Sequence, residues 1–358
     1  MAQQGVDVLL VSVGADLPWL TGYEAMPLER LTMLVVPRDG EATLVVPRLE
    51  APRVVERPEV FAIAAFEETA DPVELVARLA GPASVVAVSD RTWARFVVDL
   101  QGALPGSTWR RGSTVTGPLR SVKDGFEVAA LRRAAQAADR VAAQLQGGEI
   151  ALVGRTEAEV SAELGRRLVA EGHHRVNFAI VASGPNAASP HHDAEDRVIE
   201  AGDVVLCDFG GTMLTEGGAG YCSDITRCVV AGGAAPSAEV VEAYAVLHEA
   251  QAAAVSAAVV GTPCEDVDDA ARRIIAAAGY GDRFFHRTGH GIGVEEHEDP
   301  YIVAGNVTPL VAGHAFSVEP GIYTAGSWGL RLEDIVVASA DGPDPLNRAD
   351  HALLTVDA

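Results

Sequence analysis

CDFGG (207–211) and GYCSDITR (220–227), followed farther along by RTGHGIG (287–293), SVEPGIY (317–323) and LRLEDIVV (330–337), are the segments whose reading decides this fold. Each reads as a strand or a strand-edge turn, and each carries one residue of metal-ligand type: Asp208, Asp224, His290, Glu319 and Glu333. A carboxylate inside an apolar β run is costly to bury unless something positive compensates it. Four carboxylates and one imidazole form an oxygen-and-nitrogen donor set that suits two divalent ions better than one. Two such ions close together can share a hydroxide and polarise a carbonyl, which is hydrolase chemistry.

Working outward, the region around these segments repeats its own layout. Helices are expected over 124–146 and 156–171, then strands over 176–183, 203–212 and 221–231. The order recurs as helices over 237–259 and 263–278 and strands near 284–290, 314–320 and 329–337. Thr156 and Glu159 have capping-box spacing, and Pro236 and Pro263 are expected as first-turn prolines. Each half ends in two strands bearing an acidic pair, Asp208/Asp224 and Glu319/Glu333, so facing pairs would meet at the middle of a pseudo-twofold sheet. Upstream, VDVLLVSVG (6–14), LTMLVV (31–36), ATLVVP (42–47) and SVVAVS (84–89) read as strands, with helices over 71–80 and 90–101 and a hairpin turn at PRDGE. The expected architecture is α/β (α+β): a small N-terminal domain over 1–118, a turn-rich linker within 110–124, and a second domain over 119–358.

Composition excludes several classes of function. The 48% hydrophobic content and 36 glycines suit a folded chain with ample core. A net charge of −23 argues against a general nucleic-acid footprint, and no apolar run reaches the length of a membrane span. The start, MAQQGVDVLL, has no basic leader region, so a cytoplasmic location is expected. Cys207, Cys222, Cys228 and Cys264 form no CxxC pair and read as core thiols.

The five motifs, in this order, resemble the pita-bread metallopeptidases, specifically the aminopeptidase P and prolidase branch; the match is strong over about residues 120–350. The resemblance implies that Asp208 binds one metal, that Asp224 and Glu333 bridge, and that His290 and Glu319 bind the other. It also implies two divalent ions, with manganese expected and cobalt or zinc compatible, a proline-containing peptide as substrate, and a homodimer. The 16-residue interval from Asp208 to Asp224 (224 − 208) is longer than the family usually has. Its extra residues fall in MLTEGGAG (213–220), which reads as a longer hairpin loop.

Further roles follow from the same resemblance. His297 lies seven residues after His290 (297 − 290), the family's catalytic spacing, and His191 in ASGPNAASPHHD (182–193) matches its loop histidine. Both are expected to hydrogen-bond the substrate or the developing oxyanion. His192 is the neighbour most easily confused with His191, whereas His173, His174 and His286 read as ordinary surface or core residues. Arg331 is expected to support the site and Tyr323 to lend a hydroxyl. Glu319 is expected to carry the proton toward the prolyl nitrogen. The glycines around His290 are expected to let backbone approach the metals and substrate closely.

The implied activity is hydrolysis of the bond between an N-terminal residue and proline, by an Xaa-Pro aminopeptidase or an Xaa-Pro dipeptidase. The alternatives are a methionine aminopeptidase, which the large N-terminal domain and Arg331 disfavour, and a non-catalytic peptide-binding or protein-binding module. A metal-free hydrolase of the creatinase type is disfavoured with that module, because all five ligands are present. Asp208-Phe209-Gly210 is a kinase-like triplet without the accompanying kinase motifs, and the glycine run at 289–293 lacks dinucleotide spacing.

Overall fold

A computed structural model describes residues 1–233 and 235–356. It divides into two compact units: Met1–Arg120 with Leu214–Gly220, and Ser121–Met213 with Tyr221–Ala358. In the first, alternating apolar residues build a sheet covered on both faces. Leu9, Val11, Leu44 and Val46 enter one core, while Val8, Leu10, Met33 and Val45 enter the other. The strand order is Phe61–Phe66, Ala42–Pro47, Met33–Pro37, Val8–Ser12, Val85–Val88, Thr108–Arg111. Asp71 caps the helix Pro72–Ala80 by accepting from the amides of Val73 and Glu74. Within the segment expected to carry the linker, the boundary between the units falls at Arg120/Ser121, preceded by the strand Thr108–Arg111 and the helix Ser113–Arg120. The strand takes its hydrogen bonds from Val85–Val88, a tertiary partner that its polar sequence does not announce.

The second unit shows the repeat. Helices Gly125–Gln146 and Glu157–Ala170 precede strands Arg175–Ser183, Val204–Leu214 and Ile225–Ala231, and helices Ala238–Ala257 and Cys264–Ala277 precede strands Gly289–Gly291, Ala315–Val318 and Asp334–Ser339. Both strand triplets pair antiparallel in chain order. Full capping boxes open the first two helices, at Asp124/Glu127 and Thr156/Glu159. Neither proline lies in a first helical turn: Pro263 is itself the N-cap, one step before its helix, and Pro236 precedes the N-cap Ser237, two steps before its helix.

The expected strand near 284–290 shrinks to Gly289–Gly291, where the glycines serve strand packing. A Cβ on Gly289 would lie 1.8 Å from the Ser317 carbonyl oxygen, and one on Gly291 would lie 2.3 Å from that of Asp299. These glycines therefore admit the close approach of neighbouring backbone. The residues between Asp208 and Asp224 extend one strand to Leu214 and close a turn in which the Thr215 amide donates to the Ala219 carbonyl over 2.9 Å. The extra length thus forms a hairpin tip. Among the described residues no helix is long and apolar enough to cross a membrane.

Candidate metal-centred active site

Two of the ligand-type carboxylates occupy matching places in the repeat. Asp224 immediately precedes the strand Ile225–Ala231, and Glu333 immediately precedes Asp334–Ser339. Asp208 lies within Val204–Leu214 opposite Thr226, while Glu319 directly follows Ala315–Val318. Thr226 joins the halves: its hydroxyl donates to Glu333 Oε2 over 2.6 Å and accepts from Arg331 Nε at 3.1 Å. Arg227, fully buried beside it, donates to the Glu333 carbonyl over 2.6 Å and to Asp334 Oδ1 over 2.7 Å. Extended backbone thereby presents the acidic groups inward at fixed register.

The five residues line one cavity of about 310 Å³. One ligand atom from each of Asp224, His290 and Glu333 lies within 4.8 Å of the others, and His290 Nε2 is 3.2 Å from Glu319 Oε1. Burial, then the charges of neighbouring carboxylates, holds the Asp224 and Glu333 carboxyls well above their ordinary range. Asp208 is raised by burial against the opposing pull of Arg331. Burial also works to raise Glu319, but the His290 hydrogen bond and charge outweigh it and bring that carboxyl down to about 2. Asp208 Oδ1 is buried with no hydrogen-bond partner. A packed acidic cluster with an orphaned carboxylate oxygen is the donor set and electrostatic deficit that divalent cations satisfy.

The other sequence candidates surround this cluster. His297 stacks on His290 with ring centroids 3.8 Å apart, and desolvation, then the His290 charge, pushes its imidazole down to about 4. His191 lines the cavity, whereas His192 points elsewhere and meets Glu157 Oε2 at 2.9 Å. Arg331 is buried and spends every terminal nitrogen: Nη2 donates to Asp208 Oδ2, and Nη1 donates to the Tyr323 hydroxyl (2.9 Å) and the Pro190 carbonyl (3.2 Å). Tyr323 therefore touches the site through Arg331.

Sequence reasoning missed two contributors. His286, read as ordinary, lines the cavity and its Nε2 meets the Tyr323 hydroxyl at 3.0 Å. Its only signal was proximity to RTGHGIG. Glu157, fully buried at the start of its helix, accepts from the Ser183 amide and hydroxyl (both 2.7 Å), from Asn186 Nδ2 and from His192. It thus ties down both ends of the loop that presents Pro190 and His191; in sequence it is one more first-turn glutamate.

Comparison with known proteins agrees with this geometry. The profile of metallopeptidase family M24 matches residues 129–340, and that of the creatinase/prolidase N-terminal domain matches residues 1–122. A protein named probable dipeptidase PepE from Mycobacterium bovis is 43% identical, covering 99% of this chain and 93% of its own. The crystal structure of a recombinant prolidase from Thermococcus sibiricus superposes with a TM-score of 0.91 at 35% identity, covering 99% and 96%. That of an X-Pro aminopeptidase from Thermotoga maritima gives 0.83 at 29%, covering 98% of each chain. With a fold, an acidic cluster and both domain profiles in agreement, this chain belongs to metallopeptidase family M24 and is an enzyme.

Proposed function

We propose that the chain hydrolyses the bond between an N-terminal residue and proline, using two divalent ions, manganese by preference, held by Asp208, Asp224, His290, Glu319 and Glu333. The observation that carries this reading is the convergence of those five residues on one cavity, with Asp208 Oδ1 left unpartnered. The relatives named dipeptidase, prolidase and X-Pro aminopeptidase support the substrate class. When bound, the ions would supply an activated water and an electrophile for the scissile carbonyl.

The protein's own groups do the rest. Glu319 is ionised and accepts the proton of the attacking water, then delivers it to the prolyl nitrogen. That nitrogen belongs to a tertiary amide without N–H, so protonation rather than hydrogen-bond recognition makes it leave. His297 and His191 donate hydrogen bonds to the oxyanion as charge develops, where a donor stabilises the transition state more than the ground state. Arg331 fixes Asp208 and aligns Tyr323. A homodimer in the cytoplasm is the expected setting.

The test is product analysis of the purified, manganese-loaded protein given Ala-Pro, Ala-Pro-Ala and Ala-Ala-Ala. Release of alanine from the prolyl substrates and not from Ala-Ala-Ala is expected. Bound metal with no cleavage of either prolyl peptide overturns the reading.

A further inference from the structure

Away from the active-site cavity, a second set of ligand-type groups meets at the start of the helix Glu157–Ala170. One ligand atom from each of Glu157, His192 and Glu195 lies within 4.8 Å of the others, and none of the three lines that cavity. Glu157 is fully buried, the His192 side chain is 15% exposed, and Glu195 stands at the surface. An ion entering from solvent past Glu195 thus meets an imidazole and a buried carboxylate.

That buried carboxylate has no permanent cation against it. Glu157 accepts from neutral donors, the Ser183 amide and hydroxyl and Asn186 Nδ2, and its remaining partner is His192 Nε2 at 2.9 Å. Among the described residues no arginine or lysine pairs with it. Arg197 donates to the same Ser183 hydroxyl over 2.6 Å but pairs with Asp203 at 2.7 Å. A buried carboxylate without a countercharge is costly, and a metal ion in place of the proton between Glu157 and His192 removes that cost.

The surrounding backbone holds the three residues in place. The amides of Glu157 and Ala158 donate to the carbonyls of Arg197 (3.0 Å) and Glu195 (3.1 Å), which fixes the loop against the helix start. Asn186 Nδ2 bridges the carboxylates of Glu157 (3.1 Å) and Glu195 (3.0 Å). An ion about 2 Å from each ligand atom holds those atoms about 3–4 Å apart, so small side-chain rotations complete the site. One imidazole and two carboxylates suit a borderline ion such as zinc, with water in the fourth position.

We propose that Glu157, His192 and Glu195 bind one zinc-class ion, separate from the proposed reaction centre, and that this ion clamps the loop presenting Pro190 and His191. The loop is already tied to the reaction centre, because Arg331 Nη1 donates to the Pro190 carbonyl over 3.2 Å. The inference does not depend on the prolyl-peptidase reading.

The experiment dialyses wild type, Glu195→Gln and His192→Gln against zinc and counts bound ions by elemental analysis. Glu195→Gln keeps an acceptor for Asn186, and His192→Gln keeps a donor for Glu157, so both variants retain the local hydrogen bonds. Zinc exchanging into the five-ligand centre is common to all three proteins and cancels in the comparison. Wild type should hold one more zinc ion per chain than either variant. Zinc should also slow hydrogen exchange over 184–195 in wild type more than in the variants. Equal zinc content in the three proteins overturns the site, and an extra ion without slower exchange overturns the clamp. Both readouts are independent of peptidase activity, so failure here leaves the proposed function standing.

Discussion

Arg331 donates from Nη2 to Oδ2 of Asp208, while Oδ1 of the same carboxylate is buried without a partner. One oxygen is thus fixed by the protein and the other is left for a ligand that no protein group replaces. Removing one member of a buried ion pair costs about 3–5 kcal/mol, because the survivor stays uncompensated. Arg331→Leu should therefore lower the apo melting temperature and weaken metal binding, both measurable by calorimetry. Wild-type metal affinity in that variant would remove the supporting role assigned to Arg331.

Metal loading should stabilise the fold strongly. Ligand at roughly 1,000 times its dissociation constant adds about 4 kcal/mol, a rise of about 5–10 °C in a protein of this size. Thermal melts with manganese and with chelator test this, and superimposable curves would count against a metal centre.

The raised carboxyls set a direction for pH. Burial, then the charges of Glu319 and Asp208, lifts the folded-state value of Glu333 well above its unfolded one. Its stabilising contribution is therefore full below about pH 4, near the unfolded value, and lost as pH rises through the folded value. Chelated Glu333→Gln should accordingly be more stable than chelated wild type at pH 7.5, by at least about 1 kcal/mol, and lose that advantage near pH 4. Equal stability at both pH values would show that Glu333 carries no such penalty.

His297 faces the opposite case. Its imidazole is pushed down to about 4 by desolvation and the nearby His290, so it is neutral throughout the neutral range. His297→Gln should reduce kcat by about 100- to 1,000-fold, the loss of one transition-state donor, at unchanged metal content measured by elemental analysis. The wild-type rate should show no inflection from this residue between pH 6 and 8.

Glu157 tests whether the loop bearing His191 needs its buried anchor. Glu157→Ala strips the acceptor from Ser183, Asn186 and His192. Leaving those donors unsatisfied should cost about 2–4 kcal/mol in denaturant titration and lower kcat with it. Full activity in a destabilised variant would separate the anchor from the chemistry.

The amino-acid sequence by itself determined the kind of chemistry and most of the scaffold. Long amphipathic helices, alternating strands and the capping box at Thr156 follow local periodicity and short-range hydrogen bonding, so they were legible residue by residue. The five ligand-type residues were legible because burying carboxylates in apolar strands demands compensation. What the tertiary structure decided was everything that depends on residues distant in the chain. The strand Thr108–Arg111 exists because Val85–Val88 supplies its hydrogen bonds. The glycines beside His290 answer to the carbonyls of Ser317 and Asp299. Glu157 carries no local signature; its meaning comes from which side chains the fold places within reach. Adjacent histidines 191 and 192 divide in the same way, one lining the cavity and the other meeting Glu157, because successive side chains of a loop point where long-range packing sends them.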